Sequence, residues 1–154
     1  MIDLSNQECL GGSFNGPALL ETLRSLSPEE AASTDTYEGY SAWSVALHVL
    51  YFKHMIGEAL GAKLPAYGYE KTDFPAVPVN PDKAAWQKVI ADNETVHKAF
   101  AEALGAATDD QLEATYAPWK VPLGAAVAWI VSHDTNHNTQ IRNMGLPSLR
   151  KPIG

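Results

Sequence analysis

The chain has 154 residues, the length of one domain and enough to bury a core without cross-links. Its 45% apolar content, with four Trp and six Tyr, excludes a largely disordered chain. Eighteen acidic against 11 basic residues give a net charge of -7, and no Lys/Arg cluster is present to neutralise a run of phosphates, so nucleic acid is excluded as a partner. The start MIDLSNQECLGG lacks a basic stretch followed by an apolar run, and no apolar run approaches about 18 residues. The expectation is a soluble, cytoplasmic protein with no membrane partner. Cys9 stands alone, which rules out an internal disulfide, and no basic partner is visible near it in the sequence to activate the thiol.

Four segments carry apolar residues at helical spacing. The first runs from about Pro17 to Leu26, with Pro17 suited to a first helical position; the Gly-rich GGSFNG before it leaves open a further N-terminal turn. SPEE at 27–30 has the form of a capping box, with Ser27 as cap, Pro28 at the first position and Glu30 reaching back, and begins a short turn. The second helix, SAWSVALHVLYFKHMIGEALG, runs from near Ser41 to Gly61. From 62 to 80 the prolines Pro65, Pro75 and Pro78 prevent a regular helix while Tyr67, Tyr69 and Phe74 offer packing. A connection this long is a candidate wall or lid of a site. The third helix starts at NPDK, with Asn80 as cap and Pro81 first, and continues to about Leu104 before Gly105. Thr108 and Gln111 space another cap. The fourth helix begins near Pro122 and ends at NMGLP, where Gly145 takes the left-handed position and Pro147 prevents continuation. The fold read from this pattern is all-α, a single-domain four-helix bundle with a long crossover between the second and third helices.

On the fourth helix Ala126, Ile130, His133, His137, Gln140 and Met144 share one side. Imidazoles four apart stand about 6 Å above one another, close enough to reach one metal ion. An ion that is held yet open needs a third ligand, and His48 is the best candidate, on the stripe Ser44, His48, Tyr51 and Met55. His54 faces elsewhere. The bland alternative is a set of satisfied core histidines. Asn93 and His97 lie on the Trp86–Leu104 stripe of the third helix, so His97 is a fourth ligand, a supporting group or a core polar residue. Gln140 can hydrogen-bond a ligand nitrogen, and Asp134 either orients an imidazole or faces water. Trp43, Trp119 and Trp129 read as packing residues, and Tyr51 as packing or a pocket hydroxyl. There is no HExxH, GxGxxG or GxxxxGK[ST], and no paired ExxH of a di-iron bundle.

With ALHVL around His48 and AWIVSHDTNHNTQIRNMG in the fourth helix, the chain resembles the DinB superfamily of metal-binding four-helix bundles. The resemblance implies His48, His133 and His137 as ligands to one divalent ion, zinc or nickel, and a homodimer. It also implies chemistry on a small-molecule substrate, since some relatives transfer thiols or isomerise thiol-dependent substrates. Three neutral imidazoles leave an ion able to take water or a thiol. The expectation is therefore a metal-dependent enzyme, thiol transferase-like, with two alternatives: a hydrolase, for which no general base is visible in the sequence, or a non-catalytic protein with a structural metal.

Overall fold

The computed structural model describes residues 1–150. Among them are seven α-helices: α1 (Ile2–Cys9), α2 (Leu19–Arg24), α3 (Pro28–Ala32), α4 (Ala42–Ala59), α5 (Lys83–Ala106), α6 (Asp109–Glu113) and α7 (Leu123–Arg142). Two short strands, β1 (Thr115–Tyr116) and β2 (Val121–Pro122), pair antiparallel between α6 and α7. No helix is long and apolar enough to cross a membrane among the described residues.

The predicted caps at Ser27 and Thr108 form, and Ser41 caps as well, where short polar side chains can reach unpaired helix donors. Ser27 accepts from Glu30 N while Glu30 returns to the Ser27 amide, and Ser41 and Thr108 accept from Ser44 N and Gln111 N. The third long helix starts later than the sequence suggests: Asp82, not Asn80, is the cap, its carboxylate accepting from Ala85 N at 2.8 Å. It also passes through Gly105 to Ala106. Glycine lacks a side chain but keeps its amide, so it lowers helix propensity without ending a helix already packed along one side. Gly61, at φ +75°, directly follows the Leu60 cap of α4, and Gly145, at φ +84°, turns the chain two residues past the Asn143 cap of α7.

α4 is the central element. Every residue from Ala42 to Leu50 is buried, the signature of a helix covered on all sides, and α5 and α7 are its main neighbours. Trp43 meets Trp86 of α5 with ring centroids 4.9 Å apart in one apolar cluster, while Ile56, Phe100, Val127 and Ile130 fill a second. The first predicted helix is only the six-residue α2, and α1 supplies what the sequence left open, packing against both α5 and α7. GGSFNG serves this helix: Ser13 Oγ and Asn15 Nδ2 donate to the buried Glu8 carboxylate at 2.8 and 2.9 Å.

Between α1, α4, α5 and α7 lies a fully buried polar knot. Lys53 Nζ pairs with Asp134 and donates to His97 Nδ1 at 3.1 Å and Cys9 Sγ at 3.6 Å, and His97 Nε2 donates to Asn6 Oδ1 at 2.9 Å. Burial works against the charge on Lys53, but Asp134 and Cys9 outweigh it and raise its pKa above the ordinary value. Asp134 therefore neither faces water nor orients an imidazole. The basic partner of Cys9 exists after all, brought from 44 residues away, yet burial pushes the thiol up to about 11 and keeps it protonated.

Removing one partner of a buried pair leaves the other charge uncompensated. Lys53→Met is expected to destabilise the fold by about 3–5 kcal/mol in urea unfolding, and Asp134→Leu added to it to restore part of that loss. Equal stability of Lys53→Met and wild type would show that the pair does not tie the helices.

Candidate metal centre

α4 and α7 bring His48, His133 and His137 together. Their ring nitrogens lie within 4.8 Å of one another, with His48 Nε2 3.0 Å from His137 Nε2 and 2.8 Å from His133 Nε2. Nitrogens at about 2.0–2.1 Å from a shared zinc ion stand about 3 Å apart, so the spacing suits a common ion.

The partners of the opposite ring nitrogens sharpen this. His48 Nδ1 lies 2.6 Å from the carbonyl oxygen of Asp73, which only accepts, so Nδ1 carries the proton. His137 Nδ1 lies 2.8 Å from Gln140 Oε1, and the Gln140 amide nitrogen donates to Glu38 at 2.7 Å, which fixes the amide with its oxygen toward the ring. Both Nε2 atoms therefore carry lone pairs, and they face each other at 3.0 Å with no proton to share. Two acceptors at that distance repel, and a cation between them removes the repulsion. His133 Nδ1 is buried without a partner among the described residues. Its proton is free to sit on either nitrogen, so His133 can donate to His48 or turn a third lone pair inward.

Burial depresses the pKa values of His48 and His133. His48 is held below the ordinary value by burial, with His137 adding to it. His133 is pushed down to about 2 by burial, then by His137, His48 and Lys53. Neutral imidazole is the metal-binding form.

The cluster opens on one side to a cavity of about 660 Å³. Phe52, Phe74, Trp119 and Trp129 give it aromatic walls, and Asp73, Ser132 and Asn136 supply polar groups. The 62–80 crossover is a wall of the site: Phe74 stacks on His48, with centroids 4.2 Å apart and planes at 2°, and Pro75 O accepts from Ser44 Oγ at 2.6 Å.

Other sequence candidates lie elsewhere. His97 is in the Lys53 knot. Cys9, His97 and Asp134 also cluster within 4.8 Å, but the Lys53 ammonium already supplies their cation, so they do not form a second metal site. His54 donates to Pro65 O at 2.9 Å, and Tyr51 packs on Phe52 and Tyr67 without lining the cavity. Trp43 is core, whereas Trp119 and Trp129 pack on each other and line the cavity. Phe52 was passed over in the sequence and Trp129 read as packing, although their positions four after His48 and four before His133, on the same helix faces, were the signal that marks them. Asp73, Phe74 and Glu38 carry no such signal, because loop geometry alone brings them in.

A family model described as DinB superfamily matches residues 15–141. The chain belongs to the DinB superfamily. The match spans α2 to nearly the end of α7 and leaves α1 outside. Comparisons with curated proteins and with solved structures gave no match.

The Gln140 bridge makes a direct prediction. Gln140→Ala is expected to weaken divalent-ion binding about 10–100-fold, measured by competition with a chromophoric chelator, with helix content unchanged. Unaltered affinity would show that the bridge does not set the His137 tautomer.

Proposed function

From membership of the DinB superfamily, we propose that this chain is a divalent-metal enzyme of the thiol transferase type, acting on a small molecule at His48, His133 and His137. The observation that carries the reading is the pair of acceptor nitrogens, His48 Nε2 and His137 Nε2, held face to face at 3.0 Å beneath a cavity. A purely structural ion calls for a closed ligand set, whereas this cluster offers three nitrogens and an open side. Zinc and nickel both suit three imidazoles. The four-helix reading takes α2, α4, α5 and α7 as the bundle of one domain, with 62–80 as its crossover, and the homodimer and cytoplasmic location belong to the same proposal.

A bound divalent ion would supply a positive centre that stabilises a thiolate at neutral pH. The chain's own residues do the rest. The Asp73 carbonyl and Gln140 hold the Nδ1 protons of His48 and His137, so both rings keep their Nε2 lone pairs turned to the cluster. Phe52, Phe74, Trp119 and Trp129 limit water around the reacting atoms. No thiol of the protein takes part, since Cys9 is buried in the Lys53 knot.

One observation favours hydrolysis as the second reading. Asp73 supplies the cavity with a carboxylate, its Oδ1 3.2 Å from His48 Nδ1, and so offers the general base that the sequence did not reveal.

The test is turnover by metal-loaded protein against a panel of low-molecular-weight thiols paired with electrophiles, beside a panel of hydrolysable amides and esters. Thiol consumption that falls at least about 100-fold in His48→Ala, with the fold retained, is expected for the transferase. Turnover confined to the amides and esters and lost in Asp73→Asn would select the hydrolase, and no turnover in either panel would contradict an enzyme.

A further inference from the structure

Four aromatic side chains around three histidines are more than the packing of α4 against α7 requires. Trp129 is 40% exposed although it sits one turn from His133 on a helix with a largely buried side. Its ring lies over His133, with centroids 4.2 Å apart and planes at 31°, as the Phe74 ring lies over His48. Trp119 meets Trp129 edge-on at 4.6 Å, and Phe52 meets it edge-on at 5.6 Å.

Trp119 is delivered by a dedicated turn. The β1–β2 hairpin spans 115–122, and both Trp119 N and Lys120 N donate to Tyr116 O, at 3.2 and 2.9 Å. Lys120 takes φ +54°, a left-handed conformation that a residue with a side chain adopts at a cost. Residues in α7 that bury their side chains need no such hairpin. The hairpin packs Tyr116, Trp119 and Val121 against the second apolar cluster and at the same time sets the Trp119 indole beside Trp129 in the cavity wall.

The charges speak to the ligand as well. No Lys or Arg lines the cavity among the described residues, and Asp73 places a carboxylate there. Phosphate esters and other polyanions call for Arg or Lys forks, which are missing from the walls. Large apolar surface left open beside convergent polar groups is the mark of a ligand site.

Resting on the metal reading above, we propose that the substrate carries a planar aromatic group beside its metal-binding atom, seated among Trp129, Trp119, Phe52 and Phe74, with Trp129 as the specificity-determining residue. The ring lies against the exposed indole while the donor atom reaches the histidine cluster. Offset or edge-on contact with indole rewards flat π-systems over alkyl groups of similar area.

Two probes that share a metal-binding head and have side groups of similar area separate the possibilities: cyclohexanecarbohydroxamate and benzohydroxamate, titrated into zinc-loaded protein by calorimetry and by tryptophan fluorescence. Wild type is expected to bind benzohydroxamate at least about 10-fold tighter, with quenched fluorescence. That ratio is expected to fall to within about 2-fold in Trp129→Ala, and to shrink in Trp119→Leu, which keeps an apolar side chain at the hairpin. Equal binding of both probes by wild type would overturn the aromatic substrate class while leaving the metal site standing. Binding of neither probe by zinc-loaded protein would overturn this proposal and the open coordination position it needs, and failure to load either zinc or nickel would overturn the metal reading and this proposal with it. A preference undiminished in both variants would overturn the role of the two tryptophans.

Discussion

Everything at the site depends on how α4 is held against α7, and the buried Lys53–Asp134 pair is the contact that fixes it. Apolar side chains along two helices tolerate small slides, because a methyl group packs almost as well a fraction of a turn away. An ammonium that must reach Asp134, His97 and Cys9 at once does not. Lys53 lies five residues after His48, and Asp134 directly follows His133. The register that satisfies the ion pair is thus the register that brings the imidazoles together. Such a pair gains little net stability over an apolar replacement, and its value lies in admitting one arrangement.

Electrostatics divides the molecule's interior into two polar centres that are chemically complete in different ways. In the Lys53 knot the cation is a side chain, which meets Asp134 Oδ2, His97 Nδ1 and Cys9 Sγ within the protein. In the histidine cluster the acceptors are present, aligned by the Asp73 carbonyl and by the Gln140–Glu38 bridge, and under the proposed reading the cation is a divalent ion from outside. The first centre closes α1, α4, α5 and α7 around itself. The second faces a cavity, which is the observation behind proposing a chemical rather than a structural use for it.

Much of this was legible in the residue pattern, because periodicity is a local property. The stripe that carries His133 and His137, the inward His48 and the capping roles of Ser27 and Thr108 all follow from spacing along a single helix. What spacing does not contain is which distant groups meet. Asp134 shares its stretch with His133, so it read as either a supporting group for the site or a residue facing water, yet its partner lies 81 residues earlier on α4. Asp73 and Phe74 reach His48 from a proline-rich loop whose path has no period to read. Helix α1 was left open because IDLSNQEC carries few apolar residues, and its place in the fold depends on Glu8 and Asn6 finding partners.

The account stands on the claim that His48, His133 and His137 hold one divalent ion. Its most direct test is the metal content of protein loaded with zinc or nickel and freed of excess by gel filtration, in wild type and in His48→Ala, with circular dichroism confirming the fold of both. About one ion per wild-type chain and almost none in the variant is the predicted result, since two nitrogens on one helix hold an ion far less well than three. Full occupancy retained in His48→Ala, or no saturable binding by wild type, would contradict it and return the three histidines to the status of core packing.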